Sequence, residues 1–272
     1  MQPANCLNCG TPVIPNQNFC STCGQKTQTH RLSIHDVGHD LLHYFTHADK
    51  GILSLLGYLA TRPGMVSREY VEGKRRKYFP PINFFLIVAA IYVFMINIVD
   101  PVKRDSEITS QEKIRFEKIE NSEQKAQVAA ILERRLETRQ FINKYSNIVA
   151  MIATPLISFF LWLFYLKGKY NYTEHLVANL YISGFTVLAH ALFFRPLNSY
   201  IGGQGFSWVL MLYFIFEIIY RAISYYHFLN KRTTRSAVKA LICSVAVICI
   251  WSVLVFASIY LYVSHAFWGL LK

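Results

Sequence analysis

The chain has 272 residues, of which 53% are hydrophobic and only 16% charged. A soluble domain carries about 25% charged residues, and here the charges are gathered into blocks that leave long uncharged windows. The formal charge of +12 could suggest nucleic acid. Its placement beside the apolar windows reads instead as a signal of membrane orientation.

The first element is a pair of cysteine knuckles, Cys6-Leu7-Asn8-Cys9-Gly10 and Cys20-Ser21-Thr22-Cys23-Gly24. Each Cys-x-x-Cys lets two thiolates grip one ion from a tight turn, and the glycine after it can supply a positive φ. Four sulfurs suit a closed tetrahedral Zn²⁺ site with no open position for water, so one structural zinc per chain is expected on Cys6, Cys9, Cys20 and Cys23. Residues 1–26 are too few to fold on an apolar core, so the metal folds them. Two disulfides or an iron site are the alternatives. The absence of an apolar leader before Cys6 argues against a secreted, disulfide-bonded module. Cys243 and Cys249 lie in an apolar run and read as inert small hydrophobes.

Residues 27–32 are a polar linker. From Ser33 apolar residues recur at helical spacing through Ala48 and again from Ile52 to Leu59, ending at Pro63-Gly64. Residues 33–81 therefore read as amphipathic, interfacial helices followed by a basic pre-membrane segment. His35, His39, His43 and His47 recur every four residues there, beside Asp36 and Asp40. At this spacing up to three, His35, His39 and His43, could converge on a second metal. The plainer reading is a solvated polar helix face.

Five windows approach the roughly 20 residues needed to cross a bilayer: Ile82–Val99, Ile148–Leu166, His175–Phe194, Trp208–Leu229 and Val238–Val263. No period-two pattern suggests a barrel, so an all-α membrane bundle of about five transmembrane helices is predicted. The 100–147 segment between the first two windows has ten Lys/Arg against nine Asp/Glu and reads as charged helix on the outer side, its last part continuing into the second span.

Lys and Arg cluster before the first span (Arg62, Arg68, Lys74, Arg75, Arg76, Lys77), between the second and third (Lys167, Lys169) and between the fourth and fifth (Lys231, Arg232, Arg235). The positive-inside rule then puts the N-terminus in the cytoplasm and the C-terminus outside. A cytosolic ribbon agrees with reduced thiols.

Lys74, Arg75, Arg76 and Lys77 could contact an anionic lipid headgroup or serve as snorkelling topology anchors. Glu217 and Arg221 sit one helical turn apart inside the fourth span, where charge is costly and often functional. Asn179 and His190 on the third span could join them in an intramembrane polar site. Interhelical hydrogen bonding alone is the ordinary alternative. No nucleophile, zinc-protease or Walker motif is present, so no catalytic residue is assigned. Lys26 and Arg31 are the only cations of the ribbon and its flank, too few for a nucleic-acid face.

The run Asn18 to Lys26, then Asp49-Lys50-Gly51, Pro63-Gly64, Arg68-Glu69-Tyr70, Gly73-Lys74-Arg75 and Tyr78, resembles a bacterial integral-membrane family of unknown function. The resemblance implies an inner-membrane protein with a cytosolic zinc ribbon, and it implies no activity. Three functions follow from the residues: a ribbon that docks or scaffolds a protein partner, a small-solute or lipid transporter built on Glu217, Arg221 and His190, and an enzyme acting on anionic lipid at the cytosolic leaflet.

Overall fold

The computed structural model describes residues 4–14, 17–29, 31–35, 51–99, 116–201, 208–231 and 233–263. Among the described residues two short helices precede the bundle, α1 (Gly51–Thr61) and α2 (Met65–Val71), followed by a 3₁₀ turn at Arg75–Lys77. The bundle is α3 (Pro81–Val99), α4 (Ser122–Phe164), α5 (Tyr172–Ala189) continued by a π-helical turn at His190–Phe194 and by α6 (Arg195–Ile201), then α7 (Trp208–Leu229) and α8 (Thr234–Val263).

Among the described residues, four helical segments are long and apolar enough to cross a membrane: Arg75–Ile96, Tyr172–Ile201, Trp208–Leu229 and Thr234–Val263. The expected window at 148–166 falls in the last part of α4, where Met151–Phe164 is an apolar stretch among the described residues. α4 is one 43-residue helix, about 65 Å long, that enters from a charged segment. Asn121 caps that helix by accepting from the backbone N–H groups of Glu123 and Gln124.

Long-range bonds order the helix ends. Ser199 donates to the Val99 carbonyl, which puts the end of α3 beside α6. Tyr262 near the end of α8 donates to Glu137 on α4, while Lys239 near the start of α8 lies 4.6 Å from the ring of Tyr165, just past the end of α4. So α4 and α8 run antiparallel side by side. At the other end of the bundle His227 Nδ1 lies 2.9 Å from the Pro63 carbonyl, and Arg68 donates to the His227 carbonyl. The start of α3, the start of α5 and the end of α7 thus gather around α2.

α5 is the central helix, packed on α1, α2, α3, α4 and α7. One core joins Leu55, Leu59, Val66, Tyr70 and Tyr78 to Phe84, Val88, Val177 and Tyr181. A second joins Ile157, Leu161, Ala178, Tyr225, Phe228 and Val247. Large apolar side chains such as Phe94, Leu163, Phe193, Trp208, Ile219, Ile242 and Phe256 stay exposed. An apolar belt of that extent is what a bilayer covers.

α2 lies close to α7 because Gly64, at φ 78°, abuts the Ser224 backbone. A Cβ there would collide with the Ser224 carbonyl. Pro196 lacks an N–H and crowds the carbonyl one turn earlier, and the chain answers with the π turn, in which Arg195 N–H donates to the His190 carbonyl.

Candidate functional site

The two knuckles are built alike at an offset of fourteen residues. Cys6 N–H donates to Thr11 and Cys20 N–H to Gln25, while Gly10 N–H returns to Cys6 and Gly24 N–H to Cys20. Asn5 bridges Pro12, and Phe19 bridges Lys26. Gly10 and Gly24 close the two turns at φ 78° and 68°, a region that L side chains avoid.

This repetition brings the four thiols together. Cys6 and Cys23 Sγ are 3.6 Å apart, as are Cys9 and Cys20 Sγ, and all four sulfurs lie within 4.8 Å of one another. A tetrahedron with metal–sulfur bonds of about 2.3 Å has edges of about 3.8 Å. The described cysteines are free thiols, so the set is compatible with a metal. Burial pushes the Cys6 thiol up to about 11, while the Thr11 hydroxyl, 3.2 Å from Cys9 Sγ, and the Thr11 backbone lower Cys9 to about 6. Backbone N–H groups of Cys23 and Thr22 lower Cys20.

The module does not hang free. Arg76 backbone N–H donates to Gln25 Oε1 at 3.1 Å, the Arg76 guanidinium lies over Gly24, and Leu7 packs on Gly73 so closely that a Cβ there would sit 2.9 Å from its Cδ1. Arg31 makes a two-pronged contact with Glu174, Nε to Oε1 at 3.0 Å and Nη2 to Oε2 at 2.9 Å. Glu174 is itself one half of a capping box with Asn171 at the start of α5, and Asn171 also donates to the Leu32 carbonyl. The cysteine module is therefore bolted to the basic turn before α3 and to the first turn of α5. None of these contacts is visible from local sequence, since the Arg31–Glu174 pair spans 143 positions.

The basic turn is itself organised by one carboxylate. Glu69 Oε1 pairs with Lys74 at 3.2 Å. Its Oε2 accepts from Lys77 at 2.8 Å and from the Tyr78 hydroxyl at 2.7 Å. Burial alone would raise the Glu69 carboxyl, but bonds from Lys77, Tyr78 and Lys74 outweigh it and hold the group at about 2. Lys77 Nζ also lies 5.0 Å from the Tyr78 ring and 5.6 Å from the Tyr58 ring. Lys74 and Lys77 are thus committed internally, and Arg76 backs the cysteine module.

Inside the bundle Arg221 is fully buried and Glu217 nearly so. Arg221 Nη2 donates to Glu217 Oε1 at 2.8 Å and Nη1 to Asn179 Oδ1 at 2.8 Å, with Ser183 Oγ 3.4 Å from Nη2. Asn179 Nδ2 donates to the Tyr225 hydroxyl at 2.8 Å and to the His175 carbonyl at 2.9 Å. His175 Nδ1 lies 3.2 Å from that hydroxyl. The sequence reading missed His175, Ser183 and Tyr225. The signal for His175 and Ser183 was a polar residue repeating every four positions (175, 179, 183) along an apolar window; Tyr225 falls one helical turn after Arg221.

His190 does not join this network directly. Eleven residues of helix separate it from Asn179 by about 16 Å. Its ring lies 4.5 Å from that of Tyr213 and 5.8 Å from that of Tyr92. Tyr213 is one turn before Glu217 and links the two places. Of the histidine ladder, His35 is described and exposed, while His39 and His43 lie outside the described residues.

A family described as proteins of unknown function, DUF3667, matches residues 49–93. The match covers α1, α2, the basic turn and most of α3, the segment that receives the cysteine module. No curated protein and no solved structure matches the chain.

Proposed function

We propose that the chain is a bacterial inner-membrane scaffold whose N-terminal module holds one structural zinc ion at the cytosolic face and docks a protein partner there. The observation that carries this is the seating of the module. Gln25, Leu7 and Arg31 fix it to Arg76, Gly73 and Glu174, so whatever grips its outer face is held in register with the membrane helices. The module leaves Ile14 68% and Phe19 54% exposed, large apolar side chains that a partner could cover. Four thiolates with no fifth donor grouped with them among the described residues suit a closed zinc site, and the gathering of Lys and Arg at the module's end of the bundle supports a cytosolic placement.

The test uses the full-length protein. Wild type should carry about one zinc per chain, and Cys20→Ser should lose it. Ile14→Ser with Phe19→Ser should keep zinc and membrane insertion but lose a partner that copurifies with wild type. A double variant that retains every partner overturns the docking reading, and stoichiometric iron overturns the metal.

The buried Glu217–Arg221–Asn179 network supports a second reading, passage of a small solute or lipid past an intramembrane polar site. An enzyme acting on anionic lipid has less support, because Lys74 and Lys77 already satisfy Glu69.

A further inference from the structure

Two carboxylates in this protein sit in related surroundings, and one of them lacks a partner that the other has. Glu69 spreads its charge over two ammonium groups, Lys74 on Oε1 and Lys77 on Oε2, and Lys77 lies against the Tyr58 and Tyr78 rings. Glu217 has its cation, Arg221, on Oε1. Among the described residues no hydrogen bond is made to its Oε2, and the side chain retains 12% of its exposure. Tyr213 stands one turn before Glu217 on α7, its ring packs on that of His190 in the π turn, and the His190 ring lies against Tyr92 of α3. Tyr213 lies within electrostatic reach of Glu217, Tyr92 and Arg221. All three side chains are partly buried. Arg221 is fully enclosed, and its Nε has no partner among the described residues.

We propose that Glu217 Oε2 and the rings of Tyr92, His190 and Tyr213 bind an organic ammonium cation. An ammonium group matches both halves of the site: it donates to the open carboxylate oxygen, and it is attracted to the electron-rich faces of the rings. The Glu69 cluster shows that one carboxylate in this fold holds two cations at once. Arg221 is in turn shared among Glu217, Asn179 and Ser183, so it does not claim the whole carboxylate. The π turn supports the site by widening the helix at His190, and such turns often mark functional positions. This inference does not depend on the docking of a partner by the cysteine module.

The probe is radiolabelled n-butylammonium, equilibrated by dialysis against the purified full-length protein in detergent. Saturable binding is expected, displaced by unlabelled butylammonium and not by butyrate, which has a similar tail and the opposite charge. Tyr213→Leu leaves the ion pair in place and should weaken binding by about fivefold or more, while Tyr213→Phe keeps the ring and should stay within about twofold. Glu217→Gln should abolish binding. If that variant does not fold, Tyr213→Leu and Tyr92→Leu, each checked for a wild-type elution profile, carry the test. Absence of saturable binding, equal displacement by butyrate, or unchanged affinity in Tyr213→Leu would each overturn the proposal.

Discussion

Replacing Glu217 by Leu strands a guanidinium that has no exposed surface. Asn179 and Ser183 remain as acceptors, but neither carries charge. Breaking a buried pair from one side costs about 3–5 kcal/mol, whereas replacing both partners by apolar groups is often neutral or stabilising. The reverse substitution, Arg221→Leu, strands Glu217 and leaves Asn179 Oδ1 without its donor. Its cost should be lower, because a carboxyl can be neutralised by a proton and a guanidinium cannot. The expected order of loss is Glu217→Leu first, then Arg221→Leu, with the double substitution below the larger single loss. At about 2–4 °C per kcal/mol, Glu217→Leu should lower the melting temperature by about 6–20 °C. The four proteins would be compared by thermal unfolding in one detergent, followed by intrinsic fluorescence and by retention of the monodisperse peak. If the two single losses add in the double variant, the charges are not coupled and the pairing argument is wrong.

Glu69 gives a pH signature. Its folded-state value of about 2 lies below the ordinary carboxyl value of 4.5, so its contribution to stability is present above about pH 4.5 and is lost as pH falls toward 2. The melting-temperature gap between wild type and Glu69→Gln should therefore be full at neutral pH and shrink across that acid window. A gap that stays constant down to pH 2 would contradict the assignment. Reporter fusions test orientation: Lys169 and Arg235 should report cytosol, and Gln124 and Lys272 the exterior. A cytosolic signal at Gln124 would invert the proposed topology.

What the sequence revealed and what it hid divide along contact range. The cysteine cluster was legible because each knuckle is a turn of a few residues, and the turns repeat. The apolar helices were legible because hydropathy acts on a contiguous window. The pairing of Glu217 with Arg221 followed from helical spacing, and a partner such as Asn179 from the cost of leaving such groups alone in an apolar span. The seating of the module was not legible, since Gly73, Arg76 and Glu174 meet it only in three dimensions. Nor was the pairing of Lys74 and Lys77 with Glu69, which ties half of the cation run to one carboxylate. His190 was set with Glu217 on helix-face periodicity alone. The rise along the helix separates it from Asn179, and Pro196 opens the π turn at that place.

These contacts give a physical meaning to the segment matched at residues 49–93. Within it Gly64 lets α2 touch the α7 backbone, and Arg68 takes up a carbonyl near the end of α7. Tyr70 stacks edge-on against Tyr181 of α5. Glu69 folds the basic turn, and Gly73 and Arg76 receive the cysteine module. None of these residues reaches the Glu217–Arg221 network by a described hydrogen bond, whose members lie on α5 and α7, beyond the match. The matched segment is thus a coupling platform: it ties the two central helices to the N-terminal module and leaves the interior free to carry different polar groups. A family defined by the platform need not share the chemistry of the interior, so an activity found in one member would transfer to this chain only if Glu217, Arg221 and Asn179 had counterparts there.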